Sequence, residues 1–192
     1  MFKVWQTYCR QVQLSAETVE KVFAAAQQRT LQRNELLLQE GQVCRYKTFV
    51  LTGLLRTYGQ DADGSEHILQ FSPENTWTVD AESYDRQAPC AFNIAGVERS
   101  ELLLWTKATF DSLMNELPEL QSLSQRLISG TVHSSRHRLF SALSDPPEVK
   151  YEAFVRSFPD LLNRLPLHMI ASYLGVSVKT LTRVRQAQWH RG

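Results

Sequence analysis

A group of side chains near the C-terminus could bind a polyanion. Arg164, Lys179, Arg183, Arg185 and Arg191 follow Asp160 with no acidic residue among them, so this tail carries +5 while residues 1–160 carry −4 and the whole chain +1. A basic end on a mildly acidic chain is the distribution that a phosphate backbone selects. Lys179, Thr182, Arg183 and Gln186 fall on one side of a predicted helix, whereas Leu181, Val184 and Gln188 fall on another, with Leu181 and Val184 turned inward. The fork of Arg183 matches guanine O6 and N7, Lys179 makes a looser version of that contact, and Val178 suits apolar contact with a thymine methyl. Arg185, towards the helix flank, suits phosphate.

The elements that must position these groups are also legible. Pro166 suits a first helical turn, Ile170, Ala171 and Leu174 recur at helical spacing, and small Ala171 lets two helices approach. Gly175 supplies the positive φ that ends a helix, and Ser177 is a good N-cap for the next. Helix, tight turn and helix form the pattern of a DNA-binding helix-turn-helix, whose second helix lies in the major groove. An ordinary helical hairpin has the same outline. The lack of acids favours DNA, because a solvated helix usually carries both signs.

Other constellations are weaker. His133 and His137 lie four apart on a predicted helix, but no third ligand stands nearby, so no metal site is expected. Ser134 and Ser135 on that helix read as polar interface residues. Cys9, Cys44 and Cys90 are scattered and odd in number, which fits a reducing cytoplasm better than a disulfide framework or an iron–sulfur centre. Cys90 has no neighbouring Lys or Arg that clearly lowers its pKa, so it reads as structural. A cupin-like cage would need more ligands than His67. No phosphate loop, nucleophile elbow or acid/base pair appears, so neither an enzyme nor a cofactor is expected. No apolar run reaches membrane-spanning length and Met1–Gln6 has no signal-peptide character, so a cytoplasmic protein without membrane partners is expected.

At 192 residues, 43% hydrophobic and 21% charged, the chain has ordinary globular values. Residues 15–28 predict a helix with Ser15 as N-cap. Short strand-like runs follow at 35–39, 46–51, 54–58, 67–71, 92–95 and 101–105, separated by turn signals such as Thr52-Gly53 and Asp61-Ala62-Asp63-Gly64. Many short strands at regular spacing predict a closed β-roll or jelly roll. A short helix is predicted from Lys107 to Leu117, and a long one from Pro118 towards Leu143. Leu120, Leu123, Leu127 and Ile128 form a near-heptad stripe on the long helix, which predicts a homodimer seam. Asp145-Pro146-Pro147 breaks it, and Tyr151, Phe154, Val155 and Phe158 mark another helix ended by Pro159. The fold class is α+β, with a jelly-roll sensor over 1–117, a dimerisation helix and hinge over 118–144, and a helix-turn-helix domain over 145–192.

This order resembles the Crp/Fnr family of bacterial transcription regulators. The resemblance rests on Leu51-Thr52-Gly53-Leu54-Leu55-Arg56-Thr57-Tyr58 with Asp63-Gly64-Ser65-Glu66, and on Ile170-Ala171-Ser172-Tyr173-Leu174-Gly175-Val176-Ser177 through Arg183. It implies a homodimer joined along the long helix, each subunit offering a recognition helix to half of a near-palindromic double-stranded site. By position, Val178, Lys179 and Arg183 would face base edges, and Ser177 and Thr180 would touch phosphate. RNA polymerase is a further partner for such a regulator, and a small-molecule effector of unknown identity is another. The effector pocket is expected around Trp77, Asp80, Glu82, Tyr84, Arg86, Cys90 and Phe92.

Two departures from the family stand out. Members that bind cyclic nucleotides carry a Gly-Glu pair for ribose and an Arg-Ser/Thr-Ala run for phosphate. Here Pro89-Cys90-Ala91 replaces the second, and no glycine precedes Asp80. Asp80, Glu82 and Asp85 add repulsion for a phosphate, and only Arg86 could reach in as a substitute. In addition, only Trp189-His190-Arg191-Gly192 follow the predicted recognition helix, so contacts from a β-hairpin wing are not expected. The competing function is a ligand-binding β-roll module whose helical tail makes protein contacts without DNA.

Overall fold

The computed structural model describes residues 1–189 and the side chains through Ala187. The wing expectation, and the roles given to Gln188 and Arg191, lie outside these. Helix α1 (Phe2–Gln11) turns Trp5, Tyr8 and Cys9 inward. The sequence reading does not anticipate this helix. Helix α2 (Ala16–Ala24) buries Thr18, Val19 and Val22, and the Ser15 hydroxyl accepts from the Thr18 N–H, as its N-cap role predicts.

Eight strands follow: β1 (Gln27–Leu31), β2 (Leu36–Leu38), β3 (Tyr46–Thr52), β4 (Leu55–Gln60), β5 (Glu66–Ser72), β6 (Thr76–Thr78), β7 (Asn93–Gly96) and β8 (Ser100–Thr106). A short helix, α3 (Ala81–Arg86), stands between β6 and β7. The strands form two four-stranded sheets, β1-β8-β3-β6 and β2-β7-β4-β5, the jelly roll that the sequence predicts. The strands not predicted, β1 and β6, are edge strands, where solvated side chains blur the alternation of a half-buried strand.

Strict alternation along β3 and β8 gives the first sheet two apolar faces. Phe49 pairs with Leu103 on one face, and Val50 pairs with Leu102 on the other. The first face packs with α1, α2 and the helix after β8, α4 (Lys107–Glu116), around an aromatic cluster. Trp5 meets Phe49 edge-on at 5.0 Å, and Trp77 lies 5.2 Å from Trp105. Each of these indoles donates a hydrogen bond: Trp5 to Val19 O, Trp77 to Tyr8 Oη and Trp105 to Val22 O. The second face meets the other sheet, where Leu31, Val50, Leu102 and Leu104 pack with Leu38, Leu55 and Ile94. Gly53, between β3 and β4, has φ +94°, and a Cβ there would come within 2.7 Å of Arg99 O, so this turn requires glycine twice over.

The remaining helices are α5 (Pro118–Ser144), α6 (Pro147–Ser157), a 3-10 turn (Pro159–Asn163), α7 (Leu167–Leu174) and α8 (Val178–Trp189). The chain divides into two compact units. One is Met1–Gly59 with Leu69–Ile128; the other is Gln60–Ile68 with the chain from Ser129 onward. The division therefore falls inside α5. In the second unit Tyr151, Phe154, Leu161, Ile170, Leu181 and Val184 are buried. The Ser172 hydroxyl accepts from Ile68 N–H at 2.9 Å and donates to Glu66 O at 2.7 Å, and the Arg138 guanidinium lies 4.1 Å over the Tyr173 ring.

The stripe predicted for the dimer seam splits. Leu120 and Leu123 are buried in the aromatic-lined core of their own unit, so they are not free to face a partner. Leu127 and Ile128 are 38% and 57% exposed. Farther along α5, Val132, Leu139 and Leu143 are also exposed and share a helical face. The first turns of α5 are consumed by the intrachain core, which a heptad count alone cannot distinguish from a seam. His133, Ser134, Ser135 and His137 are exposed, and no cluster of three or more metal-ligating side chains occurs among the described residues.

Candidate functional site

The α7–α8 pair forms from local rules. Gly175 adopts φ 65°, and its N–H bonds back to Ser172 O while Val176 N–H bonds to Ala171 O, closing α7. Ser177 caps α8: its hydroxyl accepts from Thr180 N–H at 3.0 Å and contacts Thr180 Oγ1 at 2.8 Å. Both hydroxyls thus serve the helix start. Leu181 and Val184 are each 1% exposed and anchor α8 inward. Val178, Lys179, Arg183 and Arg185 are exposed. Thr182 is half-buried and its hydroxyl donates to Val178 O, which leaves it less available for an outside partner. No acidic side chain is paired with Lys179, Arg183 or Arg185 among the described residues, so their charges face solvent.

The residues expected to make an effector pocket do not gather into one. Trp77 belongs to the aromatic cluster on the opposite face of its sheet. Asp80 is the N-cap of α3, accepting from Ser83 N–H. Glu82 and Arg86 are exposed and pair with each other at 2.8 Å. Arg86 is therefore committed away from the Pro89 position. Cys90 is buried: its thiol donates to Gln39 O and Phe92 O, and its N–H is taken by Gln42 O. Burial pushes that thiol's pKa up, consistent with a structural cysteine. Tyr84 is buried and burial raises its pKa, whereas Phe92 is exposed. Tyr84 and Cys90 share the core between the sheets, whereas Trp77 lies in the other cluster and Glu82, Arg86 and Phe92 are exposed.

A cavity of about 420 Å³ lies instead in the roll interior. Leu37, Leu38, Val43, Val79 and Ile94 supply an apolar wall, Thr48, Thr78 and Cys44 add polar atoms, and Gln42, Arg45 and Tyr46 complete the lining. A second cavity of about 440 Å³ shares Val43, Arg45 and Tyr46 and adds Gln87, Thr106 and Lys107. Sequence reasoning missed Arg45, Thr48, Thr78 and Lys107. The available signal was a cation immediately before β3 and threonines at inward positions of two strands, which only strand pairing brings together.

Residues 28–116 match the family model of the cyclic nucleotide-binding domain. No curated protein matches the sequence significantly. Among solved structures, the chain is similar to the catabolite activator protein of Thermus thermophilus, at 19% identity over 93% of this chain and 85% of that one, with a TM-score of 0.58. It is similar to the c-di-GMP-responsive global regulator CLP of Xanthomonas campestris, at 14% identity over 93% of each chain and a TM-score of 0.72. A Crp/Fnr-family protein of Eubacterium rectale shares 14% identity over 93% of this chain and 85% of that one, with a TM-score of 0.70. Such identities speak to fold. Residues 28–116 resemble the cyclic nucleotide-binding domain, and the chain shares its fold with solved proteins of the Crp/Fnr family.

Proposed function

We propose that this chain is a homodimeric, sequence-specific DNA-binding regulator of transcription whose effector is not a cyclic nucleotide. The observation that carries the reading is the exposed, unopposed basic face of α8, held by buried Leu181 and Val184. Arg183 is the base reader, Lys179 and Val178 flank it, and Arg185 contacts phosphate. Arg183→Ala should cost about 1–3 kcal/mol on the preferred site and relax selection at one base pair. Arg185→Ala should weaken all sequences evenly and flatten the salt dependence by about one unit of slope. Fluorescence anisotropy on specific and scrambled duplexes, after a genome-wide binding map supplies the site, tests both. Equal loss on both duplexes for Arg183→Ala would remove it as a base reader, and a flat binding map would favour a protein-contact role for the helices.

The dimer seam in this reading is the exposed face of α5 bearing Val132, Leu139 and Leu143. Val132→Asp places a charge there and should yield monomers in sedimentation experiments. Rejection of cyclic nucleotides is supported by Pro89 at the phosphate position, by the Gln42-bound N–H of Cys90 and by the pairing of Arg86 with Glu82. Calorimetry with cyclic AMP and cyclic GMP should show no saturable heat below about millimolar ligand.

A further inference from the structure

We propose that the side-chain amine of Lys47 is a site of covalent acylation by acyl phosphates, in a niche between α3 and α4 that lies outside the cavity between the sheets. The assignment does not depend on the DNA-binding reading. Alternation along β3 places Lys47 on the face of Phe49, directly opposite Trp105 of β8, at the rim of the aromatic cluster. The side chain is half-buried. Its Nζ lies 5.6 Å from the centre of the Tyr84 ring and 5.4 Å from that of Phe110. Both rings are buried.

Most lysines keep the ammonium in water or against a carboxylate. Lys47 forms no ion pair and donates no hydrogen bond among the described residues. Of the carboxylates near it, Asp111 is paired with Lys107 at 3.2 Å and Asp85 is exposed. The Lys107 Nζ lies 4.8 Å from the centre of the same Tyr84 ring, so a second ammonium faces the niche. Ring faces attract a cation but do not accept its N–H bonds as a carboxylate does. Burial therefore favours the neutral amine and holds the Lys47 pKa below the ordinary lysine value. The Lys107 charge adds to that lowering, while Asp85, the Cys44 thiol and Asp111 oppose it. A lysine desolvated beside a second cation is a better nucleophile at neutral pH than a solvated one.

The charges around the niche select the acyl donor. Lys107 and Arg45 line one cavity of about 440 Å³, and Arg45 is exposed and forms no ion pair among the described residues. Both cations suit the phosphate of an acyl phosphate. In the reaction the lone pair of the Lys47 amine attacks the acyl carbon and forms a C–N bond. The C–O bond to phosphate breaks, phosphate leaves with that electron pair, and the extra proton on nitrogen passes to water. The product is a neutral amide, which burial among the rings disfavours less than an ammonium.

The probe is acetyl phosphate, incubated with the full-length protein at neutral pH, with acetylation at every lysine followed over time by peptide mass spectrometry. Lys47 should be modified several times faster than the exposed Lys3 and Lys179, and its rate should level off at a lower pH than theirs. An uncharged N-hydroxysuccinimide ester of acetic acid should keep part of that preference, because the amine itself is the more reactive. Arg45→Met, an exposed substitution, should slow acetyl phosphate at Lys47 and leave the ester rate unchanged. Lys47→Arg should abolish the fast phase of incorporation. Acetylation of Lys47 no faster than that of Lys3, a pH profile shared with Lys3, or a fast phase that survives Lys47→Arg would each overturn the proposal. An Arg45→Met variant that reacts normally with acetyl phosphate would overturn the choice of acyl donor.

Discussion

On one face of the β1-β8-β3-β6 sheet, Phe49, Trp77 and Trp105 interlock with Trp5, Tyr8 and Phe110, and every indole N–H in that cluster has an acceptor. On the other face, one residue away along the same strands, Thr48 and Thr78 stand opposite each other and line a pocket. The backbone ladder is shared, so the difference comes from side-chain volume. Large rings fill the space under the helices, whereas threonines and aliphatic residues leave space between the sheets. The filled face packs against the helices, and the other leaves an open pocket.

The largest test of that division is Trp105→Ala. It removes a fully buried ring and its bond to Val22 O, and should destabilise the first unit by about 3–5 kcal/mol in urea denaturation. A loss below about 1 kcal/mol, the size of a surface effect, would mean the aromatic wall does not carry the unit.

A second test uses the cysteines on the two sides. Burial pushes the Cys9 thiol, in the filled cluster, up to about 12, and raises the Cys44 thiol at the cavity as well. The folded chain therefore keeps protons that the unfolded chain releases. Stability should be flat below about pH 9 and fall as pH rises from there towards about 12. Urea midpoints at neutral and alkaline pH measure this, and Cys9→Ala should flatten the alkaline decline. An unchanged decline in that variant would assign the effect to other groups.

The smallest expected effect is at the cavity. Thr48→Val preserves the shape of the side chain beside the pocket, so stability should stay within about 1 kcal/mol. A large loss would show that the hydroxyl is held by the protein and that the cavity face is part of the structural core.

The sequence by itself determined the parts built from neighbouring residues. Gly175 in the left-handed region, Ser177 as a cap, and Leu181 and Val184 inward on α8 were all legible, because turn chemistry and helical period act over a few residues. The jelly roll was legible too, since all its strands but the edge strands β1 and β6 announce themselves by composition and turn signals. Only the tertiary structure decided which face each apolar residue serves. Leu120 and Leu123 fit a heptad seam as well as an intrachain core, and the packing of α5 on its own unit chose the core. Trp77 and Thr78 are neighbours in sequence, yet alternation sends one into the aromatic wall and the other into the cavity. Thr48 and Thr78 come together only through the register of β3 with β6, a long-range pairing that no local pattern encodes.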